Sequence, residues 1–132
     1  MAALDTNVLL RFLLQDDPAQ AAAATRLVRA TRDAGAALYV PVSVTLELEW
    51  VLRSRFRKNK AAVAQIFFTL LETVELRFEA TGALEWALMQ YEDATADFAD
   101  CLHAALAGQA GEQPLWTFDQ AATKADGAQL LA

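Results

Sequence analysis

Asp5 is the residue that most constrains what this chain can fold into. It follows the short apolar segment Ala2-Ala3-Leu4 and precedes Thr6-Asn7 and the apolar run Val8-Leu9-Leu10-Arg11-Phe12-Leu13-Leu14. Read as strand, turn and helix, this puts a carboxylate and two further polar side chains at the carboxyl end of a first strand, where open α/β sheets form their ligand crevice. Thr6 or Asn7 can cap the new helix by accepting its free amides. Asp5 is then left over, and an acid beside a core strand is rarely buried unless it is paired or holds a metal.

The rest of the chain continues the alternation. Asp16-Asp17-Pro18 supplies an N-cap with proline at the first helical position, opening an alanine-rich helix that Gly35 stops. In that helix Leu27 and Val28 face a core, while Arg26, Arg29 and Arg32 fall mostly to one side. Leu38-Tyr39-Val40 is a second strand, closed by Pro41. Ser43 caps a helix from Val44 to Arg55 with Val44, Leu48, Val51 and Leu52 as its apolar stripe. Asn59 caps the next helix, which runs to Leu71 with Val63, Ile66, Phe67 and Leu70 inward. Val74 to Phe78 alternates with period two and reads as a half-exposed edge strand. Thr81 opens a helix carrying Leu84, Trp86, Leu88 and Tyr91, and Asp97 caps another from Phe98 to Ala107. Pro114 to Phe118 is a fourth strand and ends on Asp119 as the first ends on Asp5; a short helix over Gln120 to Ala125 and a last strand at Gln129-Leu130-Leu131 complete the chain. Strands alternating with helices predict a small three-layer α/β/α fold, with a mostly parallel sheet of four to five strands, in one domain over residues 1–132.

Composition narrows the class. A hydrophobic fraction of 55% with 5 Gly and 3 Pro excludes disorder. No apolar run reaches the roughly 18 residues of a membrane span, and no basic stretch leads an apolar one at the N-terminus, so the expected location is the cytoplasm. Cys101 is the single cysteine, which excludes an internal disulfide and a cysteine zinc cluster; it reads as a small buried hydrophobe. The net charge of −6 argues against nucleic acid held by overall charge, yet Arg53, Arg55, Arg57, Lys58 and Lys60 form a local basic run.

If the first strand is central and the fourth pairs with it, Asp5 and Asp119 face each other across the crevice. Asp100, in the first turn of its helix, can be aimed at the same place, although a first-turn acid is also common for capping alone, and Asp97 is the more natural cap. Glu47 borders the apolar stripe of its helix whereas Glu49 points further from it, so periodicity prefers Glu47. His103 reads as solvent-facing or helix-packing rather than as an acid or base. Trp50, Trp86 and Trp116 sit in apolar segments, where core or interface packing outranks base stacking.

Four segments together carry a resemblance: Leu4-Asp5-Thr6-Asn7-Val8-Leu9-Leu10, residues 44–52 (VTLELEWVL), residues 96–107 (ADFADCLHAALA) and Thr117-Phe118-Asp119. In order and spacing they resemble the four motifs of PIN-domain ribonucleases, and most nearly those of VapBC-type toxins. The resemblance implies a metal-dependent endoribonuclease acting on RNA, with Asp5, Glu47, Asp100 and Asp119 gathered around Mg²⁺ or Mn²⁺. It also implies Asp97 as an accessory acid, Asn7 and Thr117 as hydrogen-bonding supports, a homodimer, and a cognate antitoxin protein across the site. Physics agrees: close carboxylates stay ionised together only beside a cation, and all-oxygen ligands suit these hard ions rather than zinc. Two other readings stand beside this one. A receiver-like phosphoacceptor domain would need an acidic pair after the first strand and a lysine after the last core strand, where this chain has Thr6-Asn7 and Asp119. A catalytically silent PIN-like binding module would be separated from the enzyme by a metal titration.

Overall fold

Hydrogen bonding around Tyr39 sets the frame of the computed structural model, which describes residues 2–132; Met1 of the expected domain lies outside the described residues. The amide of Tyr39 donates to the Ala2 carbonyl at 2.8 Å and the Leu4 amide donates to the Tyr39 carbonyl at 2.9 Å. Residues 2–4 therefore lie parallel beside strand β1 (Leu38–Val40), although only Ala3 forms a bridge with it, and the expected first strand is reduced to that bridge. On its other side β1 pairs in parallel with β2 (Leu76–Phe78), Leu38 opposite Leu76 and Val40 opposite Phe78. The edge position expected for residues 74–78 is what the structure has: Leu76 and Phe78 are buried and Arg77 is exposed. Across this pair the Arg77 guanidinium lies 4.9 Å from the centre of the Tyr39 ring.

A second parallel pair joins β3 (Leu115–Thr117) to β4 (Ala128–Leu130), with Leu115 opposite Ala128. The strands thus form two separate hydrogen-bonded sheets, and β3 is not bonded to residues 2–4 as the central-strand expectation required. Three-residue strands offer few ladder bonds, so helix packing has to supply what the sheets do not.

Six helices do so: α1 (Thr6–Leu14), α2 (Pro18–Asp33), α3 (Val42–Ser54), α4 (Lys60–Leu71), α5 (Thr81–Asp93) and α6 (Phe98–Gln109). The caps at Asp17, Asn59 and Asp97 are the expected ones, accepting from Gln20, Ala62 and Asp100 amides. Two differ. Asp5 itself caps α1, with Oδ1 accepting the Val8 amide at 2.9 Å, so neither Thr6 nor Asn7 does. Helix α3 begins at Val42, ahead of Ser43, because Glu79 Oε1 accepts the Val42 amide at 2.8 Å from across the fold.

The core fixes how α6 approaches the site. Phe98 is fully buried between Phe67, with ring centres 5.6 Å apart, and Tyr91, edge-on at 5.5 Å. Burying such side chains is worth about 1.5–3 kcal/mol each. Lys60 Nζ ties down the end of α5 by donating to the carbonyls of Tyr91 at 3.2 Å and Ala94 at 2.9 Å. Cys101 is buried as expected, whereas Leu27 is 39% exposed and does not face the core with Val28. The tryptophans are not core residues either: Trp50, Trp86 and Trp116 are each about half exposed.

Candidate active site

Asp5, Asp97, Asp100 and Asp119 each stand at or near the start or end of an element, and Glu47 stands within a helix; apolar neighbours seat the elements that carry them. Leu4, Leu9 and Leu10 are almost wholly buried, which seats the turn that carries Asp5; Asp5 Oδ1 is used by the cap, and the side chain is otherwise exposed. Thr6 behind it is buried, with its Oγ1 lacking a hydrogen-bond partner. Asp97 accepts the Asp100 amide at 2.9 Å, so the two acids sit on one helix start. Asp119 follows β3; its amide donates to Thr117 Oγ1 at 3.0 Å and its Oδ1 accepts the Ala121 amide at 2.9 Å, which holds the residue in a tight turn. Glu47 lies on the exposed face of α3.

These residues are neighbours. Asp5, Asn7 and Glu47 line one depression of about 240 Å³ together with Thr6, Trp50 and Arg55. Glu47 also lines a second, of about 460 Å³, with Asp97, Trp50 and Arg53. Partial burial and the adjacent Asp97 and Asp119 carboxylates raise Asp100 above the usual carboxylate range, against a smaller lowering by His103. Glu47 therefore links Asp5 to Asp97, and Asp100, beside Asp97 and within reach of the Asp119 charge, completes one run of acids. The run is not a finished cage: among the described residues no three acidic, histidine or cysteine side chains are grouped closely enough to hold a metal ion. Its chemistry nevertheless fits a hard cation, since the donors are carboxylate oxygens and the negative charge around Asp100 is what a cation would relieve.

Glu49 overturns its expected direction. It is 3% exposed, and its Oε2 accepts from Arg53 Nε at 2.9 Å and from the buried Tyr91 hydroxyl at 3.0 Å. Burial, then the Glu49 charge, pushes the Tyr91 hydroxyl well above its ordinary pKa, and the bond to Glu49 raises Arg53. The buried face of α3 is broad, taking in Thr45 and Glu49 beside Val44, Leu48, Val51 and Leu52, so a stripe drawn through the apolar residues alone missed it. Arg53, four residues on, was the one local signal, an i,i+4 partner for an acid. Trp50 was not expected at the site; with Arg53 and Arg55 of the local basic run it lines the acid-bearing depressions. His103 is exposed, as one of its two expected settings had it.

A family model, the PIN domain, matches residues 2–128. The chain belongs to the PIN domain family. Members of that family are generally nucleases, and the match spans every element that carries an acid of the run, from the Asp5 turn through α3 and α6 to Asp119. This PIN domain is a small α/β fold of six helices and short parallel strands. No curated protein sequence matches the chain. Among the described residues no helix is long and apolar enough to cross a membrane.

Proposed function

We propose that this PIN domain is a metal-dependent endoribonuclease, the toxin of a type II toxin–antitoxin pair, working as a homodimer. The observation that carries the reading is the run Asp5–Glu47–Asp97–Asp100–Asp119, acids from four separate parts of the chain: Asp5, Glu47 and Asp97 line adjoining depressions, and the Asp100 carboxyl feels the charges of Asp97 and Asp119 beside them. Asp5, Glu47, Asp100 and Asp119 would hold Mg²⁺ or Mn²⁺, with Asp97 as the accessory acid. A bound ion supplies a water of lowered pKa and neutralises charge on the leaving oxygen of a phosphodiester. The chain's own residues do the rest. Thr117 holds the Asp119 backbone through its hydroxyl, the Asp97 cap sets the start of α6 and so the direction of Asp100, and Asn7 flanks Asp5 at the mouth of the depression. The rim is open, and an extended RNA strand can reach acids that stand at the surface.

A cognate antitoxin would silence such a site most simply by inserting an arginine or lysine among the acids, a charge-assisted contact that competes with the cation. The decisive experiment is RNA cleavage by the purified protein with Mg²⁺ or Mn²⁺ and again in excess EDTA. Cleavage undiminished by EDTA would overturn the metal-dependent reading. Expression from an inducible promoter, with mapping of new RNA 5′ ends during growth arrest, tests the toxin role; normal growth with intact RNA would overturn it.

A further inference from the structure

Helix α3 carries more than Glu47. Trp50 lies between the two acid-lined depressions, lining both, and is 54% exposed where a tryptophan would ordinarily be covered. One turn further, Arg53 lines the depression that holds Glu47 and Asp97. Its position is built rather than loose: Nε is held at 2.9 Å by Glu49, which is itself 97% buried from a relative exposure of 3% and is also held by Tyr91. The Arg53 side chain stays 48% exposed, so the guanidinium is fixed at one edge and open at the other. Arg55 lines the neighbouring depression beside Asp5. In a chain of net charge −6, two arginines and an exposed indole set against the acids form a local attraction for phosphate and a flat surface for a base.

We infer that Trp50 and Arg53 form a nucleotide subsite beside the acids, Trp50 stacking one unpaired base of a single-stranded RNA and Arg53 holding the phosphate next to it. The inference rests on the nuclease reading and deepens it by naming the residues that register the strand beside the acids. Stacking on a side chain needs a base whose face is free of its neighbours in a helix, so the bases inside an RNA duplex do not serve the subsite. A guanidinium clamped through Nε presents its remaining N–H groups in a fixed plane, which suits phosphate oxygens better than a freely turning lysine. Glu49 and Tyr91 are positioning residues here, acting through Arg53.

The test is fluorescence anisotropy of a short labelled single-stranded RNA with the whole protein in EDTA, where binding is read without cleavage. Trp50→Ala should bind about 5- to 150-fold more weakly, the range expected for one lost stacking contact. Trp50→Phe should recover part of the loss. Arg53→Gln, which keeps a donor for Glu49, should lower the slope of log affinity against log salt by about 0.7, one phosphate on a single strand. Trp86→Ala, on α5 and away from the acids, should bind as the parent does. The same RNA as a duplex, or with the bases removed, should lose most of the Trp50 dependence. In cleavage assays the Trp50→Ala defect should appear mainly in KM. A parent protein that cleaves no RNA with either metal would end the nuclease reading and the subsite together. A parent that cleaves, with Trp50→Ala binding single strands undiminished or abasic strands binding as well as intact ones, would overturn the subsite alone.

Discussion

Asp5 has a structural role beside the metal-binding one proposed for it, and a suitable substitution separates the two. Oδ1 caps α1, so Asp5→Ala removes a cap and a proposed metal ligand together, whereas asparagine caps about as well as aspartate. Asp5→Asn should therefore keep the fold while cleavage falls roughly 100- to 1,000-fold, the effect of losing about 3–4 kcal/mol of transition-state stabilisation. Asp5→Ala should lose cleavage similarly and cost about 1 kcal/mol of stability besides. Cleavage rates beside urea melts of both variants check this, and Asp5→Asn with full activity would sink the assignment. Asp100 yields a prediction of opposite tendency. Its carboxyl titrates higher in the fold than in the open chain, because of burial and then Asp97 and Asp119, so the folded state takes up the proton more readily. The stability this lends is present at low pH and is lost as pH rises through the raised value. In chelator, the parent's melting temperature should fall across that acidic window relative to Asp100→Asn; parallel curves would contradict the crowding. At this scale Asp5 and Asp119 were readable because each ends an apolar segment, and Asp97 because it opens a helix as its cap. Glu49 was not, since its partner Tyr91 lies 42 residues away.

Caps show where element-scale reading succeeds and where it runs out. Asp17, Asn59 and Asp97 could be found because cap and helix are adjacent in sequence and the bond is local. Helix α3 was misplaced by two residues because Ser43 was the only local capping residue, while the actual acceptor, Glu79, follows β2 and reaches Val42 only after β1 and β2 have paired. That bond couples the helix bearing Glu47, Trp50 and Arg53 to the sheet. Glu79→Ala should accordingly destabilise the protein by about 0.5–2 kcal/mol, the usual worth of an N-cap, with Glu79→Gln losing much less because its amide oxygen still accepts. Urea melts of the two variants separate a cap from a mere surface charge. If both were equally destabilised, charge rather than capping would be at work. The α3 register was harder still: with residues buried at 44, 45, 48, 49, 51 and 52, its inward face is wider than an apolar stripe and includes an acid whose charge is answered by Arg53.

At the scale of the molecule, the order of strands and helices was legible because amphipathic helical stretches alternate with short apolar segments bounded by turn residues, but strand pairing was not. Pairing depends on which edges meet, and segments of three residues carry too little pattern to say that β3 would bond β4 instead of residues 2–4. The surface is where the whole molecule makes its own prediction. Its accessible area is 7446 Å², against about 6,800 Å² for a compact monomer of this mass. The excess includes large apolar side chains left in water: Val74 is 87% exposed, Phe118 81% and Met89 56%. Single exposed apolar side chains are ordinary, but where they adjoin on one face they mark an interface, and a standard interface takes roughly 800 Å² from each partner. The expected state is a homodimer in which one such patch is shared by two copies. Light scattering at micromolar concentration should give twice 14.4 kDa, and the melting temperature should rise with protein concentration because association stabilises the folded chain by mass action. Val74→Lys, Met89→Lys and Phe118→Lys, made separately, should identify the shared face, since only a change inside it lowers both the mass and the concentration dependence. A parent that scatters as 14.4 kDa and melts at one temperature across a hundredfold dilution would make this PIN domain a monomer.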